Sequence, residues 1–146
     1  MVDGVSIRSA VPKDALVCAT ILNDWIDTCD WMPRVHSRDD VRAFYEGFVF
    51  VKRDVFVADD PVAGFLAIDA DDNFVTALYV ARPGQGTGKT LLDFAKRGRK
   101  ALKLWTFQAN KGARQFYLRE GLEEAWRTDG DNEEKLPDVL LQWERS

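Results

Sequence analysis

The segment that most limits how this chain can fold is Pro83-Gly84-Gln85-Gly86-Thr87-Gly88-Lys89-Thr90. It follows a strand-like run, Phe74 to Val80, and precedes Leu91, Leu92, Phe94 and Ala95, which recur at helical spacing. Glycines at such a corner let successive backbone amides point inward, and the adjoining helix N-terminus adds the positive end of its dipole. Apart from a plain glycine turn between strand and helix, the corner reads as a site for an anion. The charge pattern agrees: from Arg82 to Arg119 ten Lys/Arg stand against one acid, Asp93, a balance of +9. The whole chain carries −4, so the remainder sums to −13.

With 146 residues, 46% hydrophobic and 30% charged, the chain has the size and composition of one domain spanning 1–146, which excludes wholesale disorder and fibrous repeats. No apolar run approaches the roughly 20 residues that cross a bilayer, and the opening MVDGVSIRSA carries an acid and an arginine where a signal peptide is apolar. A cytoplasmic protein with no membrane partner is expected. The net charge argues against nucleic acid as a partner. Cys18 and Cys29, eleven apart in one helical stretch, fit neither a metal pair nor a disulfide framework and read as packing residues. No metal is expected. The 12% aromatic content leaves room for a homodimer contact.

Element types alternate along the chain. Val5 to Arg8 reads as a strand, and Pro12 and Asp14 open a helix that buries Leu16, Ala19, Ile21, Leu22, Trp25 and Ile26 and stops near Cys29. Trp31 to His36 is an irregular connection. Ser37 to Asp40 resembles a capping box that opens a second helix through Val41, Phe44, Tyr45 and Phe48. Asp54 to Ala58, Val62 to Ile68 and Phe74 to Val80 read as an antiparallel meander, because turn residues (Asp59-Asp60-Pro61 and Asp69 to Asn73) separate them. After the glycine corner come a helix, a strand from Leu102 to Phe107, a helix from Asn110 to Arg119, and strands Leu122 to Thr128 and Val139 to Trp143. The fold class is mixed α/β.

Two chemistries fit the glycine corner. Gly88-Lys89-Thr90 matches the end of the nucleotide-binding GxxxxGK(S/T) loop, but the first glycine of that pattern falls on Pro83, which has no N–H for a phosphate. The next strand, Leu102 to Phe107, also lacks an acid for Mg²⁺. A metal-free pyrophosphate cradle needs neither feature.

The surrounding order favours the cradle. Asn110, Ala113, Phe116, Tyr117, Gly121 and Leu122 spell N-x-x-A-x-x-F-Y-x-x-x-G-(F/L), and Gly86 and Gly88 fall on the end of Gln/Arg-x-x-Gly-x-Gly/Ala. In this the chain resembles the GNAT superfamily of acyl-CoA-dependent N-acetyltransferases, from about Ile7 to Trp143. It departs from the pattern at the Gln/Arg position, which is Pro83 here with Arg82 and Gln85 beside it.

The resemblance implies a central, mostly antiparallel sheet whose two parallel strands splay around acetyl-CoA, and transfer of acetyl from CoA to a primary amine of a small molecule or peptide. Main-chain groups of Tyr79 and Val80 would meet the pantetheine arm. Gln85, Gly86, Thr87, Gly88, Lys89 and Thr90 would hold the pyrophosphate, with Asn110 fixing the cofactor or its own helix start. Tyr117 falls on the position of the general acid; with reference pKa values near 10 and 8.5, its proton moves to a thiolate uphill by roughly 2 kcal/mol, a gap that site tuning removes. A tyrosine that only hydrogen-bonds CoA is the alternative, and it belongs to a second functional reading, a non-catalytic acyl-CoA-binding domain. Trp31, Arg34 and His36 lie where the family forms its acceptor pocket. His36 is the histidine that would suit a base; a surface histidine, or a water relay to a carboxylate, are the other readings. Arg127 to Asp138 holds five acids against two bases, a rim that attracts a cationic amine.

Overall fold

The computed structural model describes residues 6–59 and 61–146; Val5 of the first expected strand and Asp60 of the first expected turn lie outside them. Strand β1 (Ser6–Ser9) and a short 3-10 turn (Pro12–Asp14) lead into helix α1 (Ala15–Thr28). After the Trp31 to His36 connection, α2 (Arg38–Phe44) runs through a π-helical turn (Tyr45–Val49) into α3 (Phe50–Lys52). Ser37 Oγ caps α2 by accepting from the Asp40 N–H at 3.0 Å. Strands β2 (Asp54–Asp59), β3 (Gly64–Asp69) and β4 (Phe74–Val80) form the expected meander. Then follow α4 (Thr87–Lys96), β5 (Ala101–Phe107), α5 (Lys111–Arg119), β6 (Glu123–Thr128) and β7 (Asp138–Glu144).

The seven strands form one sheet in the order β1-β2-β3-β4-β5-β7-β6. Only β4 and β5 run parallel. One face is covered by α4 and α5, whose Leu91, Leu92, Ala95 and Tyr117 pack on Leu66, Ile68, Leu104, Val139 and Leu141. The opposite face of β2 to β4 is covered by α1 and the α2 segment through Cys18, Ile21, Val41 and Tyr45. Leu16, expected on the buried side of α1, is half exposed instead. The helix turns its small side chains Ala15, Cys18 and Ala19 to the sheet, and burial pushes the Cys18 thiol up to about 12.

The β4 to β5 pairing is where the sheet opens. Ala67 pairs with Ala77 and Ile68 with Val75, so Thr76 is an extra residue in β4. Such a bulge bends a strand and resets which side chains face which way. Val75, Leu78 and Val80 consequently pack with the α4 and α5 side, while Ala77 and Tyr79 pack with the α1 side. Beyond the bulge β4 leaves its partner: among the described residues the only parallel register pair is Phe74 with Lys103.

Candidate active site

Gly64 lets the glycine corner sit close to the sheet. A Cβ there would lie 3.0 Å from the Tyr79 carbonyl oxygen, 3.0 Å from Val80 Cγ1 and 3.2 Å from Thr87 Cγ2, so a hydrogen at this strand position is what admits the first residue of α4. Gly84 (φ 84°) and Gly86 (φ 77°) adopt the left-handed conformation that turns the chain from strand to helix. Gly86 is the N-cap of α4 and supplies no side-chain cap, and the first turn of an α-helix leaves its own N–H groups without intrahelical partners. The amides of Thr87, Gly88 and Lys89 therefore stand open at the positive end of the helix. Gly88 plays a different part: an added Cβ would meet only Phe116 at 3.5 Å and Val80 at 3.9 Å, ordinary contacts.

One strand away, the ladder decides which backbone groups of β4 are available. Val80 pairs with Gly64, and the Ala81 N–H donates to the Ala63 carbonyl at 2.8 Å. In an antiparallel ladder this makes Val80 and Gly64 a non-hydrogen-bonded pair, so the N–H and C=O of Val80 point away from β3 into the gap before β5. Tyr79, opposite Phe65, falls in the bonded class and its main chain is taken up by β3. The sequence expectation that Tyr79 offers main-chain groups is thus corrected to Val80 alone; Tyr79 contributes its ring.

Between the splayed strands lies a cavity of about 1080 Å³. It is lined by Arg82, Gln85, Gly86, Thr87, Gly88 and Lys89 of the glycine corner, by Val80, Asn110, Phe116 and Tyr117, and by Trp25, Tyr79, Phe107, Asp131, Glu134 and Asp138. The positive helix end and the acidic hairpin thus border one space. Tyr117 is 7% exposed, and burial drives its phenol well above the usual tyrosine range. Burial, with the charge of Glu134 behind it, pushes Tyr79 up to about 12.

The hairpin is held by its own polar side chains. Thr128 Oγ1 donates to Asp138 Oδ1 and accepts from the Gly130 and Asp131 amides, both at 3.2 Å. Asn132 Nδ2 donates to Asp138 Oδ2 at 3.0 Å and to the Leu136 carbonyl at 2.7 Å. Gln108 Nε2 ties the Asp138 carbonyl to the end of β5 at 3.1 Å. Asp138, 7% exposed, is the centre of this clasp, and the clasp sets Asp131 and Glu134 at the cavity mouth.

Asn110 takes the second of its two expected roles, the helix start, and four other expected site residues are placed differently from their assignment. Asn110 lines the cavity but its Oδ1 accepts the Ala113 N–H at 3.1 Å, so its side chain is the N-cap of α5. Thr90 is absent from the lining because its hydroxyl donates back to the Gly86 carbonyl at 2.9 Å. Trp31 packs edge-on between Trp25 and Phe107, behind the wall rather than in it. Arg34 is spent on α1, with Nη2 2.7 Å from Asp27 Oδ1 and Nη1 donating to Asn23 Oδ1 at 3.0 Å. His36 is outside the cavity and exposed, its Nε2 3.1 Å from Glu133 Oε2. Lys89 does line the cavity, but its Nζ lies 2.9 Å from Glu120 and 3.2 Å from Asp93. Arg82 lines the same end with no carboxylate partner among the described residues. Trp25, Phe107, Gly64 and the Thr128, Asn132 and Asp138 clasp were not singled out in the sequence; a glycine inside a strand pattern is the one signal that marks Gly64.

Three solved structures share this architecture. YjaB from Escherichia coli superposes with a TM-score of 0.78 at 20% identity, covering 95% of this chain and 97% of that one. The yncA protein from Salmonella typhimurium, solved with its cofactor acetyl-CoA, gives 0.71 at 21% over 97% and 94%. A GCN5-related N-acetyltransferase from Rhodopseudomonas palustris gives 0.72 at 18% over 99% and 98%. The chain has the GNAT fold. In sequence it is 25% identical to the peptidyl-lysine N-acetyltransferase YiaC of Escherichia coli, over 84% of this chain and 88% of the relative. No protein-family model matches it. Within this GNAT fold no helix of the described residues is long and apolar enough to cross a membrane.

Proposed function

We propose that the chain is an acetyl-CoA-dependent N-acetyltransferase that moves an acetyl group directly from CoA to a primary amine of a small molecule or peptide. The observation that carries this reading is one cavity lined by three things: the open amides at the α4 N-terminus, the unpaired backbone of Val80, and the buried phenol of Tyr117. Acetyl-CoA, when bound, supplies the activated acyl group and the thiolate leaving group.

The residues divide the work by chemistry. The amides of Thr87, Gly88 and Lys89 with the helix dipole suit a pyrophosphate without metal. Arg82 is the cation available there, and Lys89 joins it once released from Glu120 and Asp93. Val80 offers one donor and one acceptor to an amide-bearing arm, as a sheet edge does. The same N–H, or one beside it, polarises a carbonyl in its path. Tyr117 holds its proton at neutral pH because burial disfavours the phenolate. A thiolate expelled into the same buried space is raised in pKa by the same effect, so the reference gap of roughly 2 kcal/mol is what Tyr117 must overcome. For the amine, Asp131, Glu134 and Asp138 are the hairpin carboxylates lining the cavity that can take up a proton, directly or through water; His36 is not among the lining residues. Both cysteines are unpaired, which suits a reducing cytoplasm, where we place the reaction.

The experiment is a thermal shift with acetyl-CoA, CoA and ATP-Mg²⁺ followed by free-thiol release with an amine panel. Acetyl-CoA and CoA should stabilise the protein; stabilisation by ATP-Mg²⁺ alone would overturn the reading. Tyr117→Phe should lower kcat at least about 100-fold, within the range of general acid catalysis, and change CoA affinity only a few-fold. Equal losses in both would make Tyr117 a binding residue.

A further inference from the structure

One side of the sheet carries no helix over β5, β7 and β6. Helices α1 and α2 pack there on β2 to β4, and none of the described buried residues they meet comes from the other three strands. Val139 and Leu141 pack toward α4 and α5, so Leu140 and Gln142, which alternate with them, face the open side. The register gives this side two rows: Trp105, Leu140 and Trp126 stand abreast, and next to them Lys103, Gln142 and Glu123. Trp126 joins the first row because β6 has a bulge. Glu124 pairs with Leu141 and Trp126 with Leu140, so Ala125 is an extra residue; without it the indole would point to the helix side. The bulge also leaves Glu124 and Arg127 together on the helix side, where Arg127 Nη2 donates to Glu124 Oε2 at 2.9 Å. The outcome is a row of two indoles around Leu140 in which Trp126 is 65% and Trp105 41% exposed.

We infer that this face is the contact between two copies of the chain, packed sheet on sheet about a two-fold axis along β7. The inference is independent of the acetyltransferase reading. An exposed apolar row of this kind marks an interaction surface, and the two rows select a second copy as the occupant. In a two-fold contact one patch meets itself, so unlike groups pair only where they stand at equal distances on either side of the axis. Trp105 and Trp126 stand one strand spacing, about 5 Å, to either side of β7, and so do Lys103 and Glu123. Turning one sheet onto another about β7 therefore sets Trp105 on the partner's Trp126 and Lys103 on the partner's Glu123, across the roughly 10 Å that separates packed sheets. Within one chain Lys103 and Glu123 lie two strand spacings apart, roughly 10 Å. Lys103 sits over the Phe74 ring at 5.7 Å, and neither it nor Glu123 has a salt bridge among the described residues. The β6 edge is a poorer contact, because its bulge interrupts the backbone groups that an added strand would pair with. The acidic hairpins lie past the packed rows at the same end of both copies, and their like charge limits the affinity to the micromolar range. Both tryptophans also line the cavity, so the partner copy forms part of its wall.

The test is analytical ultracentrifugation of the full chain over a concentration series, with circular dichroism of each variant to check its fold. The chain should pass from monomer to dimer with a dissociation constant of roughly 1 to 100 μM, as small interfaces do. Trp126→Ser should weaken the dimer at least tenfold. Lys103→Glu should weaken it at least fivefold, because each copy then sets two carboxylates against each other, and Glu123→Lys should do the same with two ammonium groups. The double variant Lys103→Glu with Glu123→Lys should restore the affinity to within about twofold, since the swapped charges again meet across the axis. These side chains are at the surface or half-buried, and where Trp126→Ser disturbs the fold the charge swap decides alone. A chain that stays monomeric up to about 300 μM would overturn the inference. So would a dimer that neither Trp126→Ser nor Lys103→Glu weakens, which would place the contact on another face. A dimer weakened by both single charge reversals and not restored by the swap would overturn the axis along β7.

Discussion

Replacing Gly64 with alanine tests whether the close approach of α4 to the sheet is what builds the cradle. The added methyl would sit 3.0 Å from both the Tyr79 carbonyl oxygen and Val80 Cγ1 and 3.2 Å from Thr87 Cγ2. Carbon contacts settle near 3.5 to 4.0 Å, so three neighbours must yield by several tenths of an ångström. Overpacking of this kind destabilises by about 1 to 3 kcal/mol. At about 2.1 cal/mol/K per residue, 146 residues give an unfolding entropy near 0.3 kcal/mol/K, so Tm should fall by about 3 to 10 °C. Two of the displaced groups border the proposed cofactor path. CoA affinity should therefore fall about tenfold, equivalent to about 1.4 kcal/mol. Gly88→Ala is the opposing case: its methyl would meet only ordinary contacts and it lies in the first turn of α4, so the helix should gain about 0.5 to 1 kcal/mol and Tm should rise. Thermal unfolding and CoA titration of the two variants check both signs. Gly64→Ala with unchanged Tm, or Gly88→Ala with a lower one, would refute the packing argument.

Two further variants probe charge. Glu120→Gln removes the nearly buried carboxylate that holds Lys89 Nζ at 2.9 Å; CoA should then bind a few-fold tighter, by competition titration. Weaker binding would show that Glu120 orients Lys89 rather than withholding it. At the other end of the sheet, Arg8 lies 2.8 Å from Asp14, which also accepts the Val11 N–H at 2.8 Å, and the Arg8 hydrogen bond holds the Asp14 carboxyl below its ordinary value. A depressed carboxylate stabilises the fold above its unfolded pKa, about 3.9, and that contribution is lost as pH falls through the lower, folded value. Asp14→Asn should lower stability at neutral pH by about 1 to 3 kcal/mol and flatten the acid limb of the stability curve; parallel curves from pH 2 to 5 would refute this.

How much of the site the sequence revealed depended on whether a residue's task is local. Gly84 and Gly86 were readable because a strand, a sharp corner and a helix in immediate succession need positive φ, and no distant residue is involved. The helix that carries Tyr117 was readable because its pattern is local and contiguous, and the structure buries Tyr117 on it. Trp31, Arg34 and His36 were misplaced for the converse reason. Their neighbourhood is a connection without periodicity, and what each side chain does there is set by partners elsewhere: Phe107, Asp27 and Glu133. The bulge at Thr76 left no mark either, because its effect is a change of register between β3 and β4. Yet that one residue turns Tyr79 toward α1 and leaves Val80 on the α4 side, and the parting of β4 from β5 opens the space between them. The charge pattern lies between these cases. The +9 and −13 portions were visible as sums, but their meaning came from the fold, which brings Arg82 and Lys89 to the same cavity as Asp131, Glu134 and Asp138. An anionic cofactor and a cationic acceptor entering that cavity would each meet the opposite sign in its lining, and the two reactive groups would come together beside Tyr117.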